Sequence, residues 1–271
     1  MTVEQLRQRH EVLLLDAYGV LLHHAGPMPH APELIHHLNA SRAPYFILTN
    51  DASRSPATCA ARYGTMGLPI PRERIITSGS LLAGHFVQRQ LQGASCVVLG
   101  PDDSADYVRA AGGVVVPPTD KEASVLVICD ELGFSFVETI DSVLTLLFHR
   151  LDASRPMELV LPNPDLVYPK QAHGYGFTAG SIATLIEAAL AQRYATPHRF
   201  VRLGKPNGPI FVEAARRAGT RDMVMVGDQL ATDIRGALDF GIPAALIETG
   251  LDRYRADMLV HPTYLLAGLG L

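Results

Sequence analysis

Short, unbroken apolar runs that each stop at a polar or charged residue are the feature that most constrains the fold of this chain. The runs are Val12–Leu15 before Asp16, Tyr45–Leu48 before Thr49, Phe200–Leu203 before Gly204-Lys205, and Met223–Val226 before Gly227-Asp228. Runs without period-2 alternation are typical of strands that are buried on both faces of a parallel sheet. Because ligands bind at the carboxyl ends of such strands, the pattern predicts one crevice at which these polar end residues meet.

The predicted architecture is an α/β fold: a doubly wound, mostly parallel sheet with an inserted α/β domain. A helix is predicted over Ala31–Asn39, between the first two runs. The middle of the chain has its own strand and helix signals, at Ser95–Leu99, Ala123–Cys129, Phe136–His149 and Glu158–Leu161. About a hundred residues suffice for a domain. The core domain is therefore expected at 1–81 and 181–271 and the inserted domain at 82–180, with Gly79 and Gly180 as candidate hinges.

Composition excludes several classes of function. The chain has 271 residues, a formal net charge of -4 and no long basic run, which argues against nucleic-acid or anionic-membrane partners. It contains no apolar stretch of about 20 residues, and its first residues lack the layout of a secretory signal, so we expect a cytoplasmic protein. Three widely spaced cysteines do not suggest a disulfide framework. A small-molecule substrate is the expected partner.

Acidic residues and one lysine occupy the predicted crevice. Asp16 precedes the turn Ala17–Gly19, where a carboxylate can be presented as a nucleophile. The segment Gly227–Asp233 adds the carboxylates of Asp228 and Asp233, and Lys205 adds a cation.

This order of residues resembles the four motifs of the haloacid dehalogenase superfamily. Asp16 matches the nucleophile, Thr49 the hydroxyl of the second motif, Lys205 the lysine of the third, and Asp228 with Asp233 the acidic fourth. The long gap between the second and third motifs resembles the cap of subclass IIA, the 4-nitrophenylphosphatase-like or NagD-like branch. The resemblance implies a Mg²⁺-dependent phosphatase that acts on a small phosphorylated metabolite through an aspartyl-phosphate at Asp16.

The resemblance also implies which residues hold the metal. A phosphomonoester dianion would meet three carboxylates and one lysine, and would be repelled unless a divalent cation were present. Magnesium prefers oxygen ligands. The family pattern places it on the Asp16 carboxylate, the backbone carbonyl of Tyr18 and Asp228, with Asp233 in support.

The remaining candidates would hold the substrate. The resemblance implies that the Thr49 hydroxyl and nearby backbone amides hold phosphoryl oxygens, with Gly19 and Asn50 as the candidate positions. Lys205 would stabilise the nucleophile and the transferring group. Asn163 and Asp165, late in the inserted domain, are further substrate-binding candidates.

Tyr18 is the main departure from the family pattern, because most phosphatases of this superfamily have a second aspartate there to act as general acid and base. A phenol is a poor base near neutrality, although its hydroxyl can still help a leaving group depart. The Asp-x-Tyr motif instead resembles metal-free 2-haloacid dehalogenases. A catalytically impaired protein that binds phosphate esters is a third reading. Asp228 and Asp233 favour the metal-dependent phosphatase.

Three minor expectations complete the sequence analysis. Asp51, where relatives often have asparagine, is expected to point away from a phosphate or to cap the next helix. His23 and His24 could reach the mouth of the crevice, whereas the adjacent pair His36-His37 is not expected to bind a metal. Relatives of this type often form dimers through the cap, so a homodimer is an alternative to a monomer.

Overall fold

A computed structural model describes residues 1–23, 25–170, 174–249 and 251–270, and the chain divides into two compact units. The first unit comprises Met1–Thr49, Pro56–Thr77 and Lys205–Leu271, and the second comprises Asn50–Ser55 and Ser78–Gly204. His24, one of the histidines considered above, lies outside the described residues.

The strands are short and alternate with helices along the chain. In order they are β1 Val12–Asp16, β2 Leu22–His23, β3 Gly26–Pro27, β4 Tyr45–Thr49, β5 Ile75–Thr77, β6 Ser95–Leu99, β7 Val114–Val115, β8 Val125–Ile128, β9 Glu158–Leu161, β10 Val167–Pro169, β11 Tyr175–Phe177, β12 Val201–Arg202, β13 Met223–Gly227, β14 Ala244–Ile247 and β15 Tyr264–Leu266. The predicted runs thus form strands, each within about two residues of the expected bounds.

The helices are α1 Val3–Arg7, α2 Ala31–Ala40, α3 Pro56–Thr65, α4 Leu82–Arg89, α5 Asp102–Ala110, α6 Phe136–Asp152, α7 Ala179–Ala191, α8 Gly208–Ala218 and α9 Arg235–Phe240. Among the described residues, short 3₁₀ turns lie at Arg72–Arg74 and Ser78–Leu81, and a π-helical turn spans Leu230–Ile234. Within the described parts of the chain, none of these helices combines the length and the apolarity needed to cross a membrane.

The first unit is built on a six-stranded parallel sheet in the order β15-β14-β13-β1-β4-β5. All five residues of β1, β4 and β13 are buried, as expected for central strands of a parallel sheet. Leu13 and Leu15 of β1 pack in one apolar cluster with Val224 and Val226 of β13 and with helix α2. The doubly wound α/β fold class is confirmed.

The second unit has its own five-stranded parallel sheet, in the order β12-β9-β8-β6-β7. Val125–Ile128 is completely buried at its centre. The apolar faces of α6 and α7 supply much of the core against this sheet, through residues such as Val143, Leu147, Ile182 and Ile186.

One of the four apolar runs does not join the sheet for which it was predicted. Val201–Arg202 pairs with Val160 and Leu161 of β9 and is therefore an edge strand of the second sheet, not a strand of the first. Its two residues are only half-buried or exposed, which suits an edge position. Lys205 consequently enters the first unit from a loop, where a core strand had been expected.

The second unit extends beyond the predicted range of 82–180 at both ends. Its longer segment runs from Ser78 to Gly204, and it also includes Asn50–Ser55. Helix α7 packs its buried face into the second core. Gly79 and Gly180 lie inside this unit and are sites of close packing. A Cβ at Gly79 would lie 2.4 Å from the Tyr107 ring, and one at Gly180 would lie 2.4 Å from the Asp165 carbonyl oxygen.

Candidate active site

Two neighbouring parallel strands of the first unit bring the acidic residues together. Leu15 of β1 is in register with Val226 of β13, so Asp16 and Asp228 follow at the same edge of the sheet. Asp233 lies in the π-helical turn that follows Asp228. Single turns of π-helix are frequent at functional sites. One side-chain oxygen from each of the three aspartates lies within 4.8 Å of the other two, and all three residues are buried.

Two glycines make room for this cluster. Gly19 has φ +86° and lies against the Asp228 carboxylate, while a Cβ at Gly227 would fall 2.2 Å from the Cβ of Asp233. The Gly19 amide, a predicted phosphate contact, donates a hydrogen bond to the Leu22 carbonyl at 2.7 Å. Its position therefore serves the approach of Asp228 and a tight turn, both of which require the absence of a side chain.

Lys205 bridges two of the three carboxylates. Its Nζ lies 2.6 Å from Asp16 Oδ1 and 2.7 Å from Asp233 Oδ1, and the lysine is 2% exposed. Burial lowers the pKa of this ammonium group, but the charges of Asp16 and Asp233 outweigh burial and raise the pKa above its usual value. Lys205 is therefore held as a cation, and one positive charge faces three carboxyl groups.

The remaining negative charge is poorly tolerated without a further cation. Burial raises the pKa of Asp16 well above its ordinary value, and the charge of Asp233 adds to this effect. Burial, together with the Asp233 charge, likewise raises the pKa of Asp228 to about 7. Groups whose charged forms are destabilised in this way often mark functional sites.

The donor set fits a hard divalent cation. Asp228 Oδ2 accepts a hydrogen bond from the Leu251 amide at 2.8 Å, whereas its Oδ1 is buried and has no hydrogen-bond partner among the described residues. A buried, unpaired carboxylate oxygen is costly unless it binds a donor or a metal. Asp16, Asp228 and Asp233 together offer oxygen ligands of the kind that Mg²⁺ prefers.

Thr49 and Tyr18 flank the nucleophile position. Asp16 is in register with Leu48 of β4, so Thr49 follows at the same edge of the sheet, and it is 4% exposed. Tyr18 lies in the turn after β1 and is 40% exposed, with the guanidinium of Arg62 over its ring. The structure thus brings the predicted residues of the first unit to one edge of its sheet.

The other predicted substrate contacts lie in the second unit. Asn50 Nδ2 donates to Asp165 Oδ1 at 2.9 Å, and the Asp165 amide donates to Asn163 Oδ1 at 3.1 Å. These contacts tie two segments of the second unit together, and the substrate-binding roles of the three residues stay predictions. The carboxylate of Asp51 accepts hydrogen bonds from the Ser53 and Arg54 amides, so it caps a turn.

Sequence reasoning missed the loop that supports Asp228. The Asp252 amide donates to the Asp228 carbonyl at 3.0 Å, and Asp252 Oδ2 accepts from the Leu230 amide at 2.7 Å. Together with the Leu251 amide, Asp252 fixes both ends of the turn that carries the acidic residues. The same signal used elsewhere could have found it, because Ala244–Ile247 is one more apolar run followed by polar residues.

Three of the histidines considered above have polar contacts within the first unit. His23 Nδ1 accepts a hydrogen bond from the Ala25 amide, and His36 Nδ1 lies 2.8 Å from the Pro32 carbonyl oxygen. His37 Nε2 lies 2.8 Å from Arg7 Nη1. The reach of His23 to the mouth of the crevice stays a prediction.

Comparisons with known proteins show which family the chain resembles over its length. Residues 13–113 match the family described as haloacid dehalogenase-like hydrolase, and residues 202–270 match an HAD-hydrolase-like family. The chain is 30% identical to dihydroxyacetone phosphatase from Corynebacterium glutamicum over 241 residues, which cover 88% of this chain and 81% of that protein.

Solved structures show the same fold. The glycerol phosphate phosphatase from Mycobacterium tuberculosis in complex with magnesium superposes with a TM-score of 0.80 at 26% identity, covering 97% of this chain and 76% of that one. Its complex with calcium gives a TM-score of 0.81 at 25% identity, covering 97% and 75%. The aligned residues therefore include both units.

Proposed function

The chain belongs to the haloacid dehalogenase-like hydrolases, and we propose that it removes the phosphoryl group from a small phosphorylated metabolite through an aspartyl-phosphate at Asp16. One observation carries this proposal: Asp16 is buried beside Lys205 and lies within 4.8 Å of two further carboxylates. The phosphatase activities named for its relatives support the same class of substrate.

Each residue of the cluster has a distinct role in the proposed reaction. The Asp16 carboxylate attacks phosphorus, and the bond between phosphorus and the leaving oxygen breaks. Lys205 holds one Asp16 oxygen in place and stabilises the charge of the transferring group. Thr49, at the same edge of the sheet, would donate its hydroxyl to a phosphoryl oxygen. Water then releases phosphate from Asp16.

A divalent cation is part of this proposal, with Mg²⁺ as the expected ion. Asp16, Asp228 and the Tyr18 carbonyl would hold it, with Asp233 in support. When bound, the metal neutralises the carboxylates and orients the phosphoryl group for in-line attack. Complexes of the mycobacterial phosphatase with magnesium and calcium support this choice.

Tyr18 shapes the substrate range that we propose. General acid-base assistance is worth about 10²–10⁴-fold, and a phenol supplies little of it as a base. A hydrogen bond from the Tyr18 hydroxyl can still stabilise the oxygen that departs. The enzyme should therefore favour substrates with good leaving groups, such as aryl or acyl phosphates.

We also propose that the protein forms a homodimer through the second unit. An exposed apolar face on the pair of strands β10 and β11 supports this proposal. Strands β10 and β11 pair antiparallel, and Val167, Tyr175 and Phe177 are 59%, 70% and 47% exposed. Exposed apolar patches of this kind commonly mark interaction sites. Light scattering should give twice the chain mass for the wild type and one chain mass for Tyr175→Glu; a monomeric wild type would contradict the dimer.

A phosphate-release screen over a panel of phosphorylated metabolites tests the main proposal. We expect release with Mg²⁺, none with EDTA, and none from Asp16→Asn, whose amide cannot act as the nucleophile. Acid-quenched protein should carry phosphate on the wild type only. Chloride release from 2-chloropropionate in EDTA would instead establish a metal-free dehalogenase, and binding of phosphate esters without turnover would establish the impaired protein.

A further inference from the structure

The guanidinium of Arg62 lies over the face of the Tyr18 ring, with Cζ 5.5 Å from the ring centroid. A cation at this distance is attracted by the negative face of an aromatic ring. Both residues belong to the first unit. Tyr18 stands two residues after Asp16, at the position where most phosphatases of the superfamily have the aspartate that assists the leaving group.

The backbone of Tyr18 is fixed, but its ring is only partly held by packing. The Gly19 amide donates to the Leu22 carbonyl at 2.7 Å, and the Leu21 amide donates to the Ala17 carbonyl at 2.9 Å. These bonds close the turn on both sides of Tyr18. Its side chain remains 40% exposed, so neighbouring atoms cover only part of the ring. A contact on the ring face therefore contributes strongly to the orientation of the Tyr18 ring.

Arg62 comes from a helix that is firmly docked in the first unit. Helix α3 buries Cys59 and Tyr63 in the core beside β1, so the Cα of Arg62 has a defined place. Within the described residues, the Arg62 guanidinium forms no ion pair with a carboxylate. Among these residues, no ion pair therefore holds the Arg62 guanidinium away from the Tyr18 ring.

We infer that Arg62 is a positioning residue, which holds the Tyr18 ring so that the phenolic hydroxyl donates a hydrogen bond to the leaving oxygen. The inference rests on the proposed function. In the step concerned, the bond between Asp16 and phosphorus forms and the ester bond breaks. The electron pair stays on the leaving oxygen, which accepts the hydrogen bond from Tyr18 and then takes a proton from water.

The size of the effect follows from the strength of the contact. A cation–π contact at an exposed site is worth up to about 1 kcal/mol, which corresponds to about fivefold in rate. An alkyl phosphate places more negative charge on its leaving oxygen than an aryl phosphate does. Loss of Arg62 should therefore slow the alkyl substrate about fivefold and leave 4-nitrophenyl phosphate nearly unchanged.

Steady-state kinetics with glycerol phosphate and 4-nitrophenyl phosphate, both with Mg²⁺, test this role. We expect Arg62→Met to lower kcat for glycerol phosphate about fivefold with an unchanged KM, and Arg62→Lys to keep most of the rate. In a Tyr18→Phe background, which retains the ring without its hydroxyl, Arg62→Met should have no further effect. Arg221→Met is the matched control, because it removes a guanidinium 4.2 Å from the Phe240 ring and should not alter the dependence on leaving group.

Two results would overturn the inference while the proposed function stands. One is an equal loss of kcat for both substrates, and the other is the same fivefold loss in the Tyr18→Phe background. A melting temperature near that of the wild type shows that Arg62→Met is folded. A wild type that releases phosphate from no member of the metabolite panel would overturn the proposed function itself, and the role of Arg62 with it.

Discussion

The Cα of Gly19 lies so close to the carboxylate of Asp228 that a Cβ on Gly19 would fall 2.0 Å from Asp228 Oδ2. Even the farther oxygen, Oδ1, would be only 2.7 Å away. No methyl group fits between them, so the carboxylate can occupy its place only because residue 19 has no side chain. The absence of a Cβ at Gly19 therefore allows the turn after β1 and the Asp228 carboxylate to lie in direct contact.

We predict that Gly19→Ala displaces the Asp228 carboxylate and lowers phosphatase activity by at least about 100-fold, because small misplacements of reacting groups have effects of that size. The φ of +86° adds backbone strain to the clash. Isothermal titration should show weakened Mg²⁺ binding. Gly64→Ala is the matched control, since Gly64 lies inside helix α3 with open space around it and should be neutral or stabilising. Wild-type Mg²⁺ affinity in Gly19→Ala would contradict the prediction.

Lys205→Met should lower both the phosphatase rate and the free energy of unfolding. The lysine is the cation between Asp16 and Asp233, and breaking a buried pair of this kind typically costs about 3–5 kcal/mol. We expect denaturant unfolding of the metal-free protein to show a loss of that order, and the rate to fall by about 100-fold or more. Lys121→Met, at an exposed position, should stay within about 0.5 kcal/mol of the wild type. An unchanged free energy of unfolding in Lys205→Met would contradict the prediction.

Much of the site could be predicted because it depends on strand ends, which the sequence marks clearly. Asp16, Thr49 and Asp228 follow buried apolar runs, and parallel pairing brings such ends to one edge. The sequence pattern predicts Lys205 near Asp16, and the structure brings the two side chains together. The apolar run before Lys205, however, pairs in the second sheet and not in the first. An apolar run shows that a strand is buried, but it does not show which sheet buries it.

The close contacts could not be predicted for a related reason. The space required at Gly19 depends on the path of the segment that carries Asp228, more than 200 residues away in the sequence. The space required at Gly227 depends on the adjacent turn, which carries Asp233. The contact of Arg62 with Tyr18 likewise depends on how helix α3 docks. Composition and periodicity carry no information on such distances, and only the folded chain supplies them.

Replacing the tyrosine by the residue that the family usually has tests the effect of Tyr18 on turnover. Tyr18→Asp should increase Mg²⁺-dependent turnover of alkyl phosphates, within the range of about 10²–10⁴-fold that general acid-base assistance is worth, because an aspartate can protonate the leaving oxygen and then activate water. Turnover of aryl phosphates should change much less. Tyr18→Phe, which removes the hydroxyl alone, should lower the alkyl rate. If Tyr18→Asp gives no gain on glycerol phosphate, acid-base assistance does not limit this enzyme.

The stability of the metal-free protein should fall as the pH rises from 3.8, the ordinary pKa of an aspartate, to about 7, the pKa of folded Asp228. Burial and the charge of Asp233 raise the pKa of Asp228 from 3.8 to about 7, and the pKa of Asp16 is raised in the same direction, while Lys205 opposes both shifts. A carboxyl group whose pKa is raised on folding contributes its stability fully below pH 3.8 and loses it by about pH 7. Mg²⁺ binds the deprotonated form and offsets this loss, so thermal melts should show a larger Mg²⁺-induced rise in Tm above pH 7 than near pH 5. Asp228→Asn should flatten both trends; an equal Mg²⁺ shift at the two pH values in the wild type would show that protons and the cation do not compete for this carboxylate.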